Sequence, residues 1–313
     1  MHAPIALFVF NRLDHADQTV TALAANDLAS ESDLFIFSDG PRTSSEAQKV
    51  AEVRAHARDI TGFRSVTVYE QQSNIGLAAS IIRGVTELCD RFGKVIVVED
   101  DIVTSPHFLK FMNDALNIYE NDPKVMHVSG CTYPVDPEAL GSDDTFFLRV
   151  PLCWGWATWK GAWKEYARDF SLADQFTRSM RRSFDFDGTH PYWSQMTLNR
   201  RGRLTTWFVF WYATLYVQGG LALFPRTSLA NNIGHDGSGS NCEESGQFAT
   251  RLAEAPIVIH RLATTESPHA YTAHKKYFRK INGSLSRRVA RKGIRRAMAI
   301  VSASTIVFRM VKI

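Results

Sequence analysis

The segment Lys94-Val95-Ile96-Val97-Val98-Glu99-Asp100-Asp101 constrains this chain more than any other. Its apolar, β-branched run has the length and composition of a strand buried on both faces, as in a parallel sheet. It ends abruptly in three adjacent carboxylates. In open α/β sheets, ligands bind beyond the carboxyl ends of the strands. Three like charges side by side repel unless a cation neutralises them. A hard divalent ion with oxygen ligands meets that need, and Mg²⁺ or Mn²⁺ commonly bridges carboxylates to substrate phosphates. The segment therefore points to a metal–diphosphate site. Capping of the following helix is a competing use for the acids. Ser105-Pro106 already serves it, with Pro106 suited to the first helical position.

The first 130 residues repeat this strand-and-helix pattern. Strands are expected at Ile5–Phe10, Leu34–Phe37, Ser65–Tyr69, Val95–Val98 and Val125–Ser129. Between them lie helical patterns at Asp14–Ala25, Ser45–Asp59, Leu77–Arg91 and Phe108–Tyr119, the first with Asp14 placed as N-cap. Ser38-Asp39-Gly40-Pro41 carries turn chemistry. Strands separated by helices predict an α/β fold with a mostly parallel sheet flanked by helices. After about residue 145 the alternation stops. Residues 145–230 are rich in aromatics and hold all seven tryptophans, and residues 231–246 are rich in Gly, Ser and Asn.

Charge is divided unevenly. Residues 271–313 hold twelve of the 36 Lys and Arg and no acid, which leaves 24 basic against 32 acidic side chains in the rest. From Ser284 on, Arg287, Arg288, Arg291, Lys292, Arg295 and Arg296 recur at helical spacing, with Leu285, Val289, Ala297, Ile300 and Val301 on the other face. A basic amphipathic tail over 275–313, lying on an anionic membrane surface, is the expectation. The acidic body argues against nucleic acid as a partner. No stretch reaches the roughly 18 uncharged apolar residues of a spanning helix, and Ile5–Phe10 lacks the flanks of a signal peptide. Cys89, Cys131, Cys153 and Cys242 are scattered, without a C-x-x-C pair. A cytoplasmic protein, peripheral on the inner face of the plasma membrane, is the expected setting. The expected division is a domain over 1–270, with halves 1–130 and 131–270, followed by the tail at 271–313.

The first strand runs into Phe10-Asn11-Arg12-Leu13-Asp14, without the glycines of a dinucleotide-binding turn, and a P-loop is absent. Phosphate binding would then fall to metal and basic side chains. At this point Phe8-Val9-Phe10-Asn11-Arg12, Phe37-Ser38-Asp39-Gly40, Asn74-Ile75-Gly76-Leu77 and Val97-Val98-Glu99-Asp100-Asp101 together resemble a GT-A fold (Rossmann-like) glycosyltransferase. Gly155-Trp156 and Phe224-Pro225-Arg226 resemble segments of the N-acetylglucosaminyltransferase I type, and the whole is similar to bacterial family 2-like sugar transferases of surface-polysaccharide synthesis.

This resemblance implies a nucleoside-diphosphate-sugar donor, a UDP-sugar first, and transfer to a glycan or lipid-linked hydroxyl. It implies Asp101 as ligand of Mn²⁺ or Mg²⁺, with Glu99 and Asp100 facing the donor ribose and sugar. Asn11, Arg12, Asn74 and Gly76 would contact the nucleotide. Asp39 would read the base edge, or alternatively form an Asx-turn with Gly40. Trp154 is the candidate for stacking on a sugar, with Gly155 allowing close approach, whereas Trp156 and Trp159 read as the core face of a helix. His235, in the glycine-rich stretch 233–240, is either a further metal ligand or a solvated loop residue. In the N-acetylglucosaminyltransferase I type a W-D-D-W-like segment supplies the base, but Trp207-Phe208-Val209-Phe210-Trp211 has no acid here. Asp187 and Asp236 are the substitutes. A sugar nucleotidyltransferase and a non-catalytic carbohydrate-binding module are the alternatives.

Overall fold

The computed structural model describes residues 1–237 and 246–283. The first half runs β1 (Ile5–Val9), α1 (Leu13–Ala24), β2 (Asp33–Ser38), α2 (Ala47–Arg58), β3 (Ser65–Glu70), α3 (Leu77–Phe92), β4 (Lys94–Glu99), β5 (Ile102–Thr104), α4 (Phe108–Ile118) and β6 (Val125–Ser129). The second half runs β7 (Thr145–Leu148), β8 (Trp156–Trp159), α5 (Lys160–Trp163), α6 (Ser171–Asp174), α7 (Arg178–Phe184), α8 (Tyr192–Arg200), α9 (Phe208–Gln218), β9 (Leu221–Pro225), β10 (Ala230–Asn232) and α10 (Pro268–Asn282).

Among the described residues, eight strands form one sheet in the order β3-β2-β1-β4-β8-β6-β9-β7. The pairs from β3 through β4 are parallel, as is β6 with β9. β8 is antiparallel to both its neighbours, and β7 is antiparallel to β9. β1 and β4 are buried along nearly their whole length, which explains their unbroken apolar runs. The chain leaves β1 for β2 and β3 on one side, then returns to lay β4 on the other. The crevice between β1 and β4 is therefore a topological switch point, the place where open α/β sheets bind ligands. The acidic triad stands at its mouth. A separate two-stranded sheet pairs β5 with β10 and brings the chain after residue 232 back to the same place.

Three local expectations are corrected. Arg12, not Asp14, occupies the N-cap of α1, and Asp14 lies in the first turn. α4 starts at Phe108, as its periodicity indicated, with His107 rather than Ser105 at the N-cap, and the Ser105 hydroxyl donates to the Ala253 carbonyl at 2.7 Å. Trp156 and Trp159 are core residues, but on strand β8, a four-residue strand buried at every position and paired on both sides, rather than on a helix face. The indole of Trp156 stacks on the buried His127. That imidazole accepts from Trp211 Nε1 at 3.1 Å and donates to the Leu152 carbonyl, and burial pulls its pKa down to about 3, so it stays neutral.

The basic segment also divides differently from expectation. Residues 268–282 are a helix of the body, capped by Ser267, with Ala270, His274, Tyr277 and Phe278 buried. Phe278 meets Tyr133 edge-on at 5.0 Å and Phe186 at 5.3 Å. The rest of the amphipathic tail, from Ser284, lies outside the described residues.

Gly130 and Gly155 seal the contact between β6, β8 and α4. The Gly130 amide donates to the Gly155 carbonyl at 2.7 Å. A side chain on Gly130 would meet Phe108, the Met112 methyl at 2.8 Å and that same carbonyl at 2.9 Å. Gly130→Ala is expected to destabilise the fold by about 1–3 kcal/mol through overpacking, read as a lower urea midpoint with an unchanged m-value.

Candidate active site

The strand β4 delivers its acids to the switch point at close quarters. Glu99 ends the strand, and Asp100 and Asp101 form the turn into β5 with only 5% and 8% of their surfaces exposed. α1 buttresses this turn, because the Thr19 hydroxyl donates to the Asp100 carbonyl at 2.8 Å. From the other side of the crevice comes Arg12. Its guanidinium donates to Asp101 Oδ2 at 2.8 Å and to Asp100 Oδ1, both through Nη2. Nη1 of the same group is buried without a hydrogen-bond partner.

Burial, reinforced by the charges of Asp101 and Asp100 and opposed by Arg12, lifts the Glu99 carboxyl to about 8. Burial also lifts Asp100 to about 6, although Arg12 pulls the other way. For Arg12 itself, burial works against the charge and the two aspartates more than restore it, so its pKa rises. Three carboxyls thus share one guanidinium, and the cluster is short of positive charge.

The β5–β10 pair brings a third segment to the triad. The Ile233 amide donates to the Asp101 carbonyl at 2.9 Å. Gly234 lies so close to the Asp101 carboxylate that any side chain would collide with it. His235 follows, its Nε2 buried and without a hydrogen-bond partner, and its ring packs against Trp154 at 5.4 Å and Phe248 at 4.8 Å. Asp236 pairs with His15 of α1 at 3.1 Å, with nearly half of its side chain exposed. Asp100, Asp101, Arg12, His235, Asp236 and Trp154 are therefore one neighbourhood. The residues from Ser238 to Ser240 of the same loop lie outside the described residues.

Asp39 plays another part. Its Oδ1 accepts from the amides of Gly40 at 2.8 Å and Ile75 at 2.9 Å, and its Oδ2 from Gly76 at 2.8 Å. The bond to Gly40 reaches only the next residue, so it is not an Asx-turn, whose donor would be the amide that Pro41 lacks; the same carboxylate ties down the loop before α3. Asn74 completes the tie by donating to the Gly40 carbonyl at 2.8 Å, while Gly40 sits against the Ser73 backbone with no room for a Cβ. Gly76 caps α3 at φ 80°, a conformation that favours glycine. Asn11 reaches across to Glu46 at 3.4 Å.

Two candidates are engaged elsewhere. Asp187 is bound by Lys275 at 2.6 Å, which with a hydrogen bond from Tyr271 holds its pKa below the usual carboxylate range. A carboxylate so stabilised in its charged form is a weak base. Gly155 makes its close approach to Phe108 and Ala230, at φ 66°, rather than leaving a platform for a sugar.

Sequence reasoning missed His15, Gly234, Phe248 and Arg54. His15 sits three residues beyond Arg12, one turn along α1, and that spacing was a usable signal. Arg54 donates to the Ser38 hydroxyl and to the carbonyls of Asp39 and Gln71, so it braces the end of β2 from α2. Nothing local in the sequence marks it for that place.

No family model and no curated protein matches this chain. Solved structures do. TarS of S. aureus aligns at 16% identity over 41% of this chain and 21% of its own, with a TM-score of 0.29. A mannosyltransferase, PcManGT from Pyrobaculum calidifontis, solved with GDP-Man and Mn²⁺, aligns at 10% identity over 70% of this chain and 69% of its own, TM-score 0.36. Mouse xyloside xylosyltransferase 1 aligns at 10% identity over 70% and 82%, TM-score 0.37. The chain spans about a fifth of the length of TarS. The fold itself is read from the sheet, mostly parallel and flanked by helices. At these identities and TM-scores the matches say nothing of reaction or substrate, which must be argued from the residues.

Two outcomes follow from this geometry. Because Glu99 is raised above its unfolded value, its contribution to stability is present at acid pH and is lost as pH rises through about 8. Glu99→Gln in metal-free buffer should therefore melt above wild type at pH 8–9, by about 2–4 °C, the size of roughly 1 kcal/mol in a domain of this length. The gain should shrink toward pH 5. Asp39→Ala, which strips three amides of their acceptor, should cost on the order of 1–3 kcal/mol in a urea titration, with Asp39→Asn costing less.

Proposed function

We propose that this chain is a divalent-metal-dependent glycosyltransferase. It moves a hexosyl or N-acetylhexosaminyl group from a nucleoside-diphosphate sugar, a UDP-sugar first, to a hydroxyl of a glycan or lipid-linked acceptor. Surface polysaccharide synthesis, of lipopolysaccharide or capsule, is the proposed setting. One observation carries the reading. Three successive carboxyls stand at the switch point of an α/β sheet, with Gly234 pressed against Asp101 and, next in the chain, His235, whose buried Nε2 has no hydrogen-bond partner.

Among the described residues no three His, Cys, Asp or Glu side chains form a ready-made metal cage. Substrate phosphates commonly complete the shell of Mg²⁺. Asp101 and His235 are the residues that would hold Mn²⁺ or Mg²⁺. When bound there, the ion would act as a Lewis acid on the departing diphosphate. Glu99 and Asp100 would orient the donor's ribose and sugar. Asn11, Asn74 and Gly76 would border the nucleotide, with Asp39 fixing the loop they share. Trp154, half-buried beside His235, offers an aromatic face to a sugar ring. Asp236 is the better candidate for the base that deprotonates the acceptor. Its exposure and its place at the edge of the triad support that role, while the Lys275 pair of Asp187 does not.

The exposed basic side chains of α10, Lys276, Arg279 and Lys280, would continue into the 284–313 segment as a contact for an anionic membrane. Among the described residues no helix is long and apolar enough to cross one.

Nucleotide release from UDP-, GDP-, dTDP- and CMP-sugars, measured with Mn²⁺, Mg²⁺ or EDTA, tests the proposal without a known acceptor. Release from one donor is expected, lost in EDTA and reduced at least about a hundredfold in Asp101→Ala. Absence of both release and metal-dependent nucleotide binding would sink it in favour of a carbohydrate-binding module.

A further inference from the structure

We infer that Arg12 is a two-position residue: it serves as the internal counter-ion of Asp100 and Asp101 in the empty site and moves to the donor diphosphate when a divalent ion takes Asp101. The inference rests on the metal–diphosphate reading above and extends it to the order of events in the site.

The geometry points this way from both ends of the guanidinium. Nη2 serves two carboxylates at once, Asp100 Oδ1 and Asp101 Oδ2. The side chain is only 20% exposed, and the aspartates 8% and 12%, so this pair is not a solvated surface contact. Removing one partner of such a cluster strands the other charges. Nη1, on the same plane, is buried with no acceptor. A buried donor left unmade is costly and calls for an anion, and a guanidinium with one edge occupied and one free suits a phosphate oxygen on the free edge.

The two positions follow from charge. A divalent ion and a guanidinium compete for the same Asp101 oxygen and repel each other across it. Without nucleotide, Arg12 therefore weakens metal binding. With nucleotide bound, the diphosphate supplies new negative charge beside the ion, and Arg12 gains an acceptor for both nitrogens. Its effect then changes sign. Arg12 thereby favours taking up metal and nucleotide together over metal alone. It also keeps the acidic turn folded around Thr19 and Ile233 while the site is empty.

The test uses the full chain with Mn²⁺ alone and then with UDP, or GDP if the release assay selects it. Free Mn²⁺ is followed by its paramagnetic resonance signal, and nucleotide binding by calorimetry at saturating Mn²⁺. Arg12→Gln is expected to bind Mn²⁺ about tenfold tighter than wild type without nucleotide, and the nucleotide about tenfold more weakly with Mn²⁺ present. Arg12→Lys, which keeps the charge but loses the fork, should lie between the two in both assays and provides the measurement if the glutamine variant does not fold. Mn²⁺ affinity unchanged or weakened in both variants overturns the inference, as does unchanged nucleotide affinity. If wild type shows metal-dependent release and the Arg12 variants leave both affinities alone, only this inference falls. If neither protein binds Mn²⁺ with or without nucleotide, the metal reading falls and takes it along.

Discussion

Three carboxyl groups in successive positions, carried to the end of a buried strand, are the condition to which the surrounding structure answers. Alone they would resist being folded into a crevice, because burial penalises each charge and each charge penalises the next. The fold meets this from three directions. α1 supplies Arg12 and the Thr19 tether, the turn into β5 fixes the backbone, and β10 lays Ile233 and Gly234 against Asp101. Burial nevertheless lifts the carboxyls of Glu99 and Asp100, with the neighbouring charges adding to the effect, so the turn is folded at some cost in stability.

Much of this was legible in the sequence, for identifiable reasons. β1, β2 and β4 announce themselves because strands buried on both faces are apolar nearly throughout, the edge strand β3 by its Val66, Val68 and Tyr69, and the helices between them because half-buried helices must be periodic. The acids were visible because three adjacent charges after such a run have no packing use. What was not legible depends on partners distant in the chain. That Asp39 ties a loop could not be read locally, because the Ile75 and Gly76 amides it holds lie 36 and 37 residues on. Gly155 looks like room for a ligand until Phe108 and Ala230 are seen to fill that room. β8 hides because its two tryptophans stand three residues apart, a spacing that suits a helix face, on a strand of only four residues that is buried at every position.

The basic stretch near the end teaches a similar lesson. Its composition changes at residue 271, but the fold does not end there. Tyr277, Phe278 and His274 are spaced to fill one helix face, and they close an aromatic cluster with Tyr133, Phe146 and Phe186. Charge marks the solvent side of α10, and the aromatics mark its packing side. Reading the charge alone puts the boundary too early. Asp187 belongs to this arrangement, where its pairing with Lys275 holds α10 to the turn after α7.

The tryptophans finally separate scaffold from surface. Trp156, Trp159, Trp163, Trp207 and Trp211 are buried, and most of them touch one another or His127. They cannot greet a ligand without dismantling the second half of the sheet. Trp154 differs. It is half-buried, stands one residue before the left-handed Gly155, and meets His235 and Phe248, which flank the two sides of the chain segment after β10. The loop that presses Gly234 onto Asp101 is thus the loop that packs against Trp154. Any rearrangement at the carboxylate is felt at the indole through two residues of backbone. Charge at the switch point and the aromatic face beside it are therefore joined by one short segment, Gly234 against Asp101 and His235 against Trp154.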